Sequence, residues 1–100
     1  MADKTWKRAE RTLARRLGGE RMGNQGAATA DVVTPWCSVE VKTRKTLPAW
    51  LQSALLQAIA NAVPGTLPLV ILHQVGQRHD NDLVLLRLRD FQEWFGETSG

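Results

Sequence analysis

Apolar residues recur along this chain in two rhythms, one helical and one alternating. Over residues 5–17, Trp6, Ala9, Leu13 and Leu17 fall at helical spacing with Ala14 beside them, which predicts a first helix. Thr5 or Asp3 can cap its start, and Gly18 and Gly19 stop its end. Arg8, Arg11 and Arg15 cover its other side, while Glu10 borders the apolar stripe. Residues 20–23 read as a short edge strand. Residues 24–30 are small or polar without periodicity, so they form a loop in which a bulky ligand can approach the backbone. The stretch 30–45 then reads as two short strands joined by a turn at Thr34 and Pro35. Its second strand alternates, with Val39, Val41 and Thr43 on one face and Ser38, Glu40, Lys42 and Arg44 on the other. Strand pairing can bring Asp31 opposite Glu40 and Lys42.

In the second half, Pro48 suits the first turn of a helix over residues 48–63. Leu51, Ala54, Leu55, Ala58, Ile59 and Ala62 make one broad apolar face, and Gln57 sits at its border beside Trp50 and Asn61. Pro64 and Gly65 end that helix. The run 67–72 is apolar throughout, which fits a strand buried on both faces. Residues 74–82 are a polar hairpin connection, and 83–87 the next strand. Asp90 can cap a last short helix, 90–95, presenting Phe91, Trp94 and Phe95. The order α-β-β-β-α-β-β-α predicts an α/β or α+β fold, a mixed sheet of about five strands flanked by helices. The β–helix–β passage from residue 37 to residue 72 is long enough for a right-handed crossover, which would set its two strands parallel. The strand carrying Glu40 and Lys42 lies between two helices and is therefore expected at the sheet's centre.

One hundred residues imply one domain, 1–100, with frayed tails at 1–4 and 97–100. A hydrophobic fraction of 43% argues for a packed chain rather than disorder. No apolar run is long enough to span a membrane, and the charged N-terminus lacks a signal-peptide core, so no membrane partner is expected. Cys37 is alone, which points to a reducing, intracellular setting. The net charge of +3 divides unevenly. Residues 1–45 hold ten Lys or Arg against five acids, and the rest of the chain is net −2. A positive field of that kind attracts a polyanion.

Within the basic half, Asp31 and Glu40 supply two carboxylates and the Val41 carbonyl a further oxygen, at the spacing Asp-x8-Glu-x-Lys. Hard cations such as Mg²⁺ take such donors. Lys42 can orient a metal-bound water, and can accept its proton once burial and the cation's charge disfavour the ammonium. Glu10 is either an ion-pair partner of Arg11 or Arg15 or an accessory metal or water ligand. His73 and His79 have no partners at metal spacing and read as ordinary polar residues; nothing local supports a Cys37 nucleophile. Trp6 and Trp94 fall on apolar stripes and Trp50 packs in the core, while Trp36 and Trp50 flank the candidate site and can also reach bases or a second subunit.

These residues resemble the PD-(D/E)xK nuclease superfamily, and among its members the small Holliday junction resolvase-like endonucleases of archaea and phages. Ala30, Asp31, Val32 and Val33 stand where the family has Pro-Asp-hydrophobic-hydrophobic, and Val39, Glu40, Val41 and Lys42 match its Glu-x-Lys strand. The resemblance covers roughly residues 6–95, with Ala30 in place of the proline and no separate specificity domain. It implies a restriction-endonuclease-like mixed sheet flanked by helices. It also implies Mg²⁺ or Mn²⁺ on Asp31 and Glu40, Lys42 acting on water, Glu10 assisting, and Gln57, or alternatively Gln52, supporting the site or contacting phosphate. The implied activity is metal-dependent hydrolysis of DNA, branched DNA included, by a homodimer in the cytoplasm of a bacterium, an archaeon or a phage-infected host. Lys7, Arg8, Arg11, Arg44, Lys45, Asn24 and Gln25 are the candidate DNA contacts. Two other classes stay open: a basic nucleic-acid-binding module without catalysis, and a protein-interaction subunit whose charges are only surface.

Overall fold

A computed structural model describes residues 5–23 and 29–96. Asp3, the candidate DNA contacts Asn24 and Gln25, and both expected tails lie outside the described residues. The fold is mixed α+β, and its helices and strands follow one another in the expected order. The chain divides into two compact units, Met1–Lys45 and Thr46–Gly100.

The first unit contains helix α1 (Thr5–Leu17) and strands β1 (Glu20–Arg21), β2 (Val32–Val33) and β3 (Ser38–Val39). The three strands form one antiparallel sheet with β2 in the middle, and α1 packs on β1 and β2. Two glycines turn the chain out of α1, each for its own reason. Gly18 takes φ +70°, the left-handed conformation that ends a helix. Its N–H reaches the Arg15 carbonyl, and the Gly19 N–H reaches that of Ala14, the paired bonds of a Schellman motif. Gly19 has no room for a side chain, because a Cβ would meet the Val33 carbonyl and lie 2.8 Å from Thr34 Cγ2. At the β2–β3 turn, Thr34 Oγ1 accepts from the N–H groups of Trp36 and Cys37, and the Thr34 N–H bonds the Cys37 carbonyl. Pro35, with its fixed φ, fits the first corner of that turn.

The second unit contains α2 (Ala49–Ala60), β4 (Val70–Leu72), β5 (Leu83–Leu85) and α3 (Leu88–Phe91), which runs on into a wide turn at Gln92–Gly96. Strands β4 and β5 pair antiparallel, and α2 packs on β4. The predicted apolar face of α2 is its half-buried one, whereas Gln52, Leu56, Gln57 and Asn61 are exposed. The helix begins one residue after Pro48, which serves as its N-cap, and ends at Ala60, short of Pro64.

Several expectations are corrected. The strands make two separate antiparallel sheets, and no described strand pair is parallel. Strand β3 lies at the edge of its sheet, not the centre, and stops at Val39, so Glu40, Lys42 and Arg44 follow the ladder rather than belong to it. The 67–72 run is not buried on both faces, because Ile71 is exposed. Asp90 does not cap the last helix. It lies inside α3, buried, and accepts from Arg87 Nε at 2.9 Å. Trp6, Trp50 and Trp94 are not core residues; all are exposed, as is Trp36. No described helix is long and apolar enough to cross a membrane.

The buried apolar residues among those described are Ala14 and Val32, the latter with 0% of its surface accessible. With so small a core, each methyl counts. Val32→Ala removes two and leaves a void, so it should cost about 2 kcal/mol. Gly19→Ala must displace the Val33 backbone and should cost at least as much. Urea unfolding followed by tryptophan fluorescence checks both, and equal midpoints for wild type and both variants would contradict this account.

Candidate active site

Asp31 is the residue around which the first unit's cleft is built. Its carbonyl accepts from the Met22 N–H at 3.0 Å, so its backbone is tied to the segment after β1. Its own N–H donates to the Val39 carbonyl at 2.9 Å, one step off the Val32↔Val39 register, an offset of the kind a β-bulge makes. Its carboxylate Oδ2 accepts the Val41 N–H at 2.7 Å. The side chain thus takes the donor that a further ladder rung would have used. The chain after β3 is thereby tied at Val41 to the Asp31 side chain, just past the last ladder pair.

Helix α1 supplies the next group. Glu10 does not border the buried stripe but lies within it, one turn before Ala14, and is 6% exposed. A carboxylate so placed needs a partner. Arg21, on β1, donates Nε to Glu10 Oε1 at 2.7 Å. The ion pair expected with Arg11 or Arg15 is replaced by this cross-element pair. Trp6 sits in the first turn of the same helix. The Arg21 guanidinium lies 6.0 Å from its ring centroid and Lys7 Nζ 5.4 Å, both within cation–π range.

Glu10, Asp31, Glu40, Val41 and Lys42 line a single cleft of about 330 Å³, together with Trp6, Thr43 and Arg44. Glu40 and Lys42 are exposed, Val41 and Thr43 half-buried. The burial expected to favour proton uptake by Lys42 is therefore absent. The lining holds no imidazole or thiol, only carboxylate, carbonyl and hydroxyl oxygens and the cationic heads. Such a donor set fits a hard cation, Mg²⁺ or Mn²⁺, and does not suit Zn²⁺. Glu10 is paired with Arg21, and the carboxylates of Glu10, Asp31 and Glu40, expected together as metal ligands, line the cleft without forming a three-ligand metal group.

Other candidates lie elsewhere. Lys45 follows Arg44 and, like Arg8, is exposed; Lys7 and Arg11 are half-buried on α1. Gln57 and Gln52 belong to the second unit, exposed on α2, where Gln52 Nε2 donates to the Leu47 carbonyl at 3.3 Å. Two lining residues, Trp6 and Thr43, are not among the candidates that the sequence offers: Trp6 falls on the apolar stripe of α1 and Thr43 on the apolar face of its alternating strand. Arg21 does not line the cleft, and its role depends on β1 lying next to Glu10.

Comparison with known proteins returns no match: no family model, curated protein or solved structure is detectably similar to this chain.

The Glu10–Arg21 pair makes an asymmetric prediction. Arg21→Ala strands a buried carboxylate and should destabilise by about 2–3 kcal/mol at neutral pH. Glu10→Gln keeps an acceptor for Arg21 and should cost less. Thermal unfolding of the two variants in parallel tests the order, and a more costly Glu10→Gln would reverse it.

Proposed function

We propose that the first unit carries the active site of a Mg²⁺- or Mn²⁺-dependent DNA endonuclease, of the PD-(D/E)xK kind that the motif resembles. The observation that supports this most is the gathering of Glu10, Asp31, Glu40, Val41 and Lys42 on one polar cleft. Asp31 and Glu40 would hold the cation, with the Val41 carbonyl as a further oxygen. When bound, the ion supplies charge neutralisation at the scissile phosphate and a more acidic water.

The chain's own residues do the rest. Val41 N–H holds Asp31 Oδ2, which fixes the carboxylate's rotamer before any ligand arrives. Lys42, exposed at the cleft, donates hydrogen bonds to the attacking water and a non-bridging phosphate oxygen. It orients the nucleophile and offsets the charge on the phosphate. Arg21 holds the Glu10 carboxylate in place through its Nε–H. Lys7, Arg8, Arg11, Arg44 and Lys45 provide a basic approach for the phosphodiester backbone, and the exposed Trp6 ring gives a base a surface on which to stack. Cutting branched DNA on two strands calls for paired sites, hence a homodimer. Exposed Trp50, Leu56, Ile71 and Val84 in the second unit are apolar surface that a second copy would bury.

The test is cleavage of labelled four-way, flap and linear DNA with Mg²⁺, Mn²⁺ or EDTA. Asp31→Asn keeps an oxygen for the Val41 N–H, so it should fold normally yet cleave at least about 100-fold more slowly, as should Lys42→Ala. Unchanged cleavage in both variants would overturn the proposal. Salt-sensitive binding with no cleavage by the wild type in either metal would leave a nucleic-acid-binding module instead. Within the nuclease reading, Arg44→Ala and Lys45→Ala should each lower the salt slope of DNA affinity by about one. Fluorescence anisotropy at four or five salt concentrations measures that slope.

A further inference from the structure

The second unit brings together two imidazoles and a carboxylate that the linear spacing leaves apart. The hairpin register is Val70↔Leu85, Ile71↔Val84, Leu72↔Leu83. One step further places His73 opposite Asp82, and His73 Nδ1 lies 2.6 Å from Asp82 Oδ1. The connecting segment returns through a single 3₁₀ turn, His79–Asn81, closed by the Asp82 N–H on the His79 carbonyl at 3.0 Å. That turn sets His79 Nδ1 3.0 Å from Asp82 Oδ2. The two rings stack with centroids 4.2 Å apart and 28° between their planes. His73 and His79, expected to lack partners at metal spacing, thus share Asp82.

We propose that His73, His79 and Asp82 form a binding site for a transition-metal ion of the Zn²⁺ class, separate from the oxygen-lined cleft of the first unit. The three ligand atoms lie within 4.8 Å of one another. The same nitrogen, Nδ1, of each ring faces a different oxygen of one carboxylate. Tetrahedral coordination with bonds of about 2.0–2.1 Å separates ligand atoms by about 3.3 Å. The observed separations of 2.6 and 3.0 Å must open by about 0.7 and about 0.3 Å. The His73 and His79 rings make those adjustments around Asp82, whose side chain is 13% exposed. Two nitrogens and one oxygen form a borderline donor set that selects Zn²⁺, Ni²⁺ or Cu²⁺ over Mg²⁺. The open side leaves a fourth position for water. Bound there, the ion would tie residue 73 to residues 79 and 82 and close the hairpin connection from both ends.

The chain contains two histidines, so its imidazole spectrum has two unambiguous spin systems. The experiment uses tag-free full-length protein titrated with ZnCl₂, by calorimetry and by nitrogen-15 NMR of the imidazoles. Expected is one tight Zn²⁺ per chain, with Nδ1 of both histidines shifting as the ion binds. His73→Ala, His79→Ala and Asp82→Asn should each weaken binding by at least about 10-fold, and Asp31→Asn should leave it unchanged. Absence of Zn²⁺ binding in the wild type would overturn the proposal. So would Zn²⁺ binding that leaves both imidazole spectra unmoved, or binding lost in Asp31→Asn but kept in the histidine variants. None of these readouts depends on nuclease activity.

Discussion

Three hydrogen bonds at Asp31 hold the first unit in its form: its carbonyl to the Met22 N–H, its N–H to the Val39 carbonyl, and its carboxylate to the Val41 N–H. The first two join the middle strand to both of its neighbours. The third replaces a ladder rung with a side chain, so Val41 is anchored to Asp31 although β3 has already ended at Val39. Glu40 and Lys42 then project from a segment that is anchored yet open. Val32, the next residue, is the most deeply buried side chain described. The chemistry of the cleft and the packing of the sheet thus meet at consecutive positions.

The charge arrangement follows from that anchoring. Helix α1 lies over β1 and β2, so Glu10 is taken out of water and must be matched. Arg21 matches it from the adjacent strand and at the same time stands over the Trp6 face. The cleft lining carries three carboxylates, Glu10, Asp31 and Glu40, beside the cationic Lys42 and Arg44, and Arg21 offsets the first of them. The second unit has the opposite character. It is net acidic, it holds both histidines, and much of its apolar surface lies open.

All four tryptophans are exposed, and the buried apolar core described consists of an alanine and a valine. In a chain this short the strands are two or three residues long and offer no broad sheet face to cover a large ring. A tryptophan at helical spacing therefore joins the apolar stripe in sequence without being covered in space. Trp6 shows the consequence. The buried line of α1 runs through Glu10 and Ala14, rotated from the stripe that Trp6, Ala9 and Leu13 suggest, because the small Ala14 and the ion-paired Glu10 allow the closer approach to the sheet.

By itself the sequence determined the order of elements, the Gly-Gly stop after α1, the turn at Thr34 and Pro35, the apolar face of α2, and the concentration of positive charge in residues 1–45. These depend on local conformational preference, on helical period and on composition, all of which act between residues near one another in the chain. Only the tertiary structure decided which strands share a sheet, that β3 is an edge strand ending at Val39, that Glu10 pairs with Arg21, and that His73 and His79 converge on Asp82. Each of those depends on strand register or on a contact between distant residues. A register is set by the balance of many weak pairings and by a single side chain such as Asp31 that competes with the backbone ladder. Spacing along the chain carries no record of that competition.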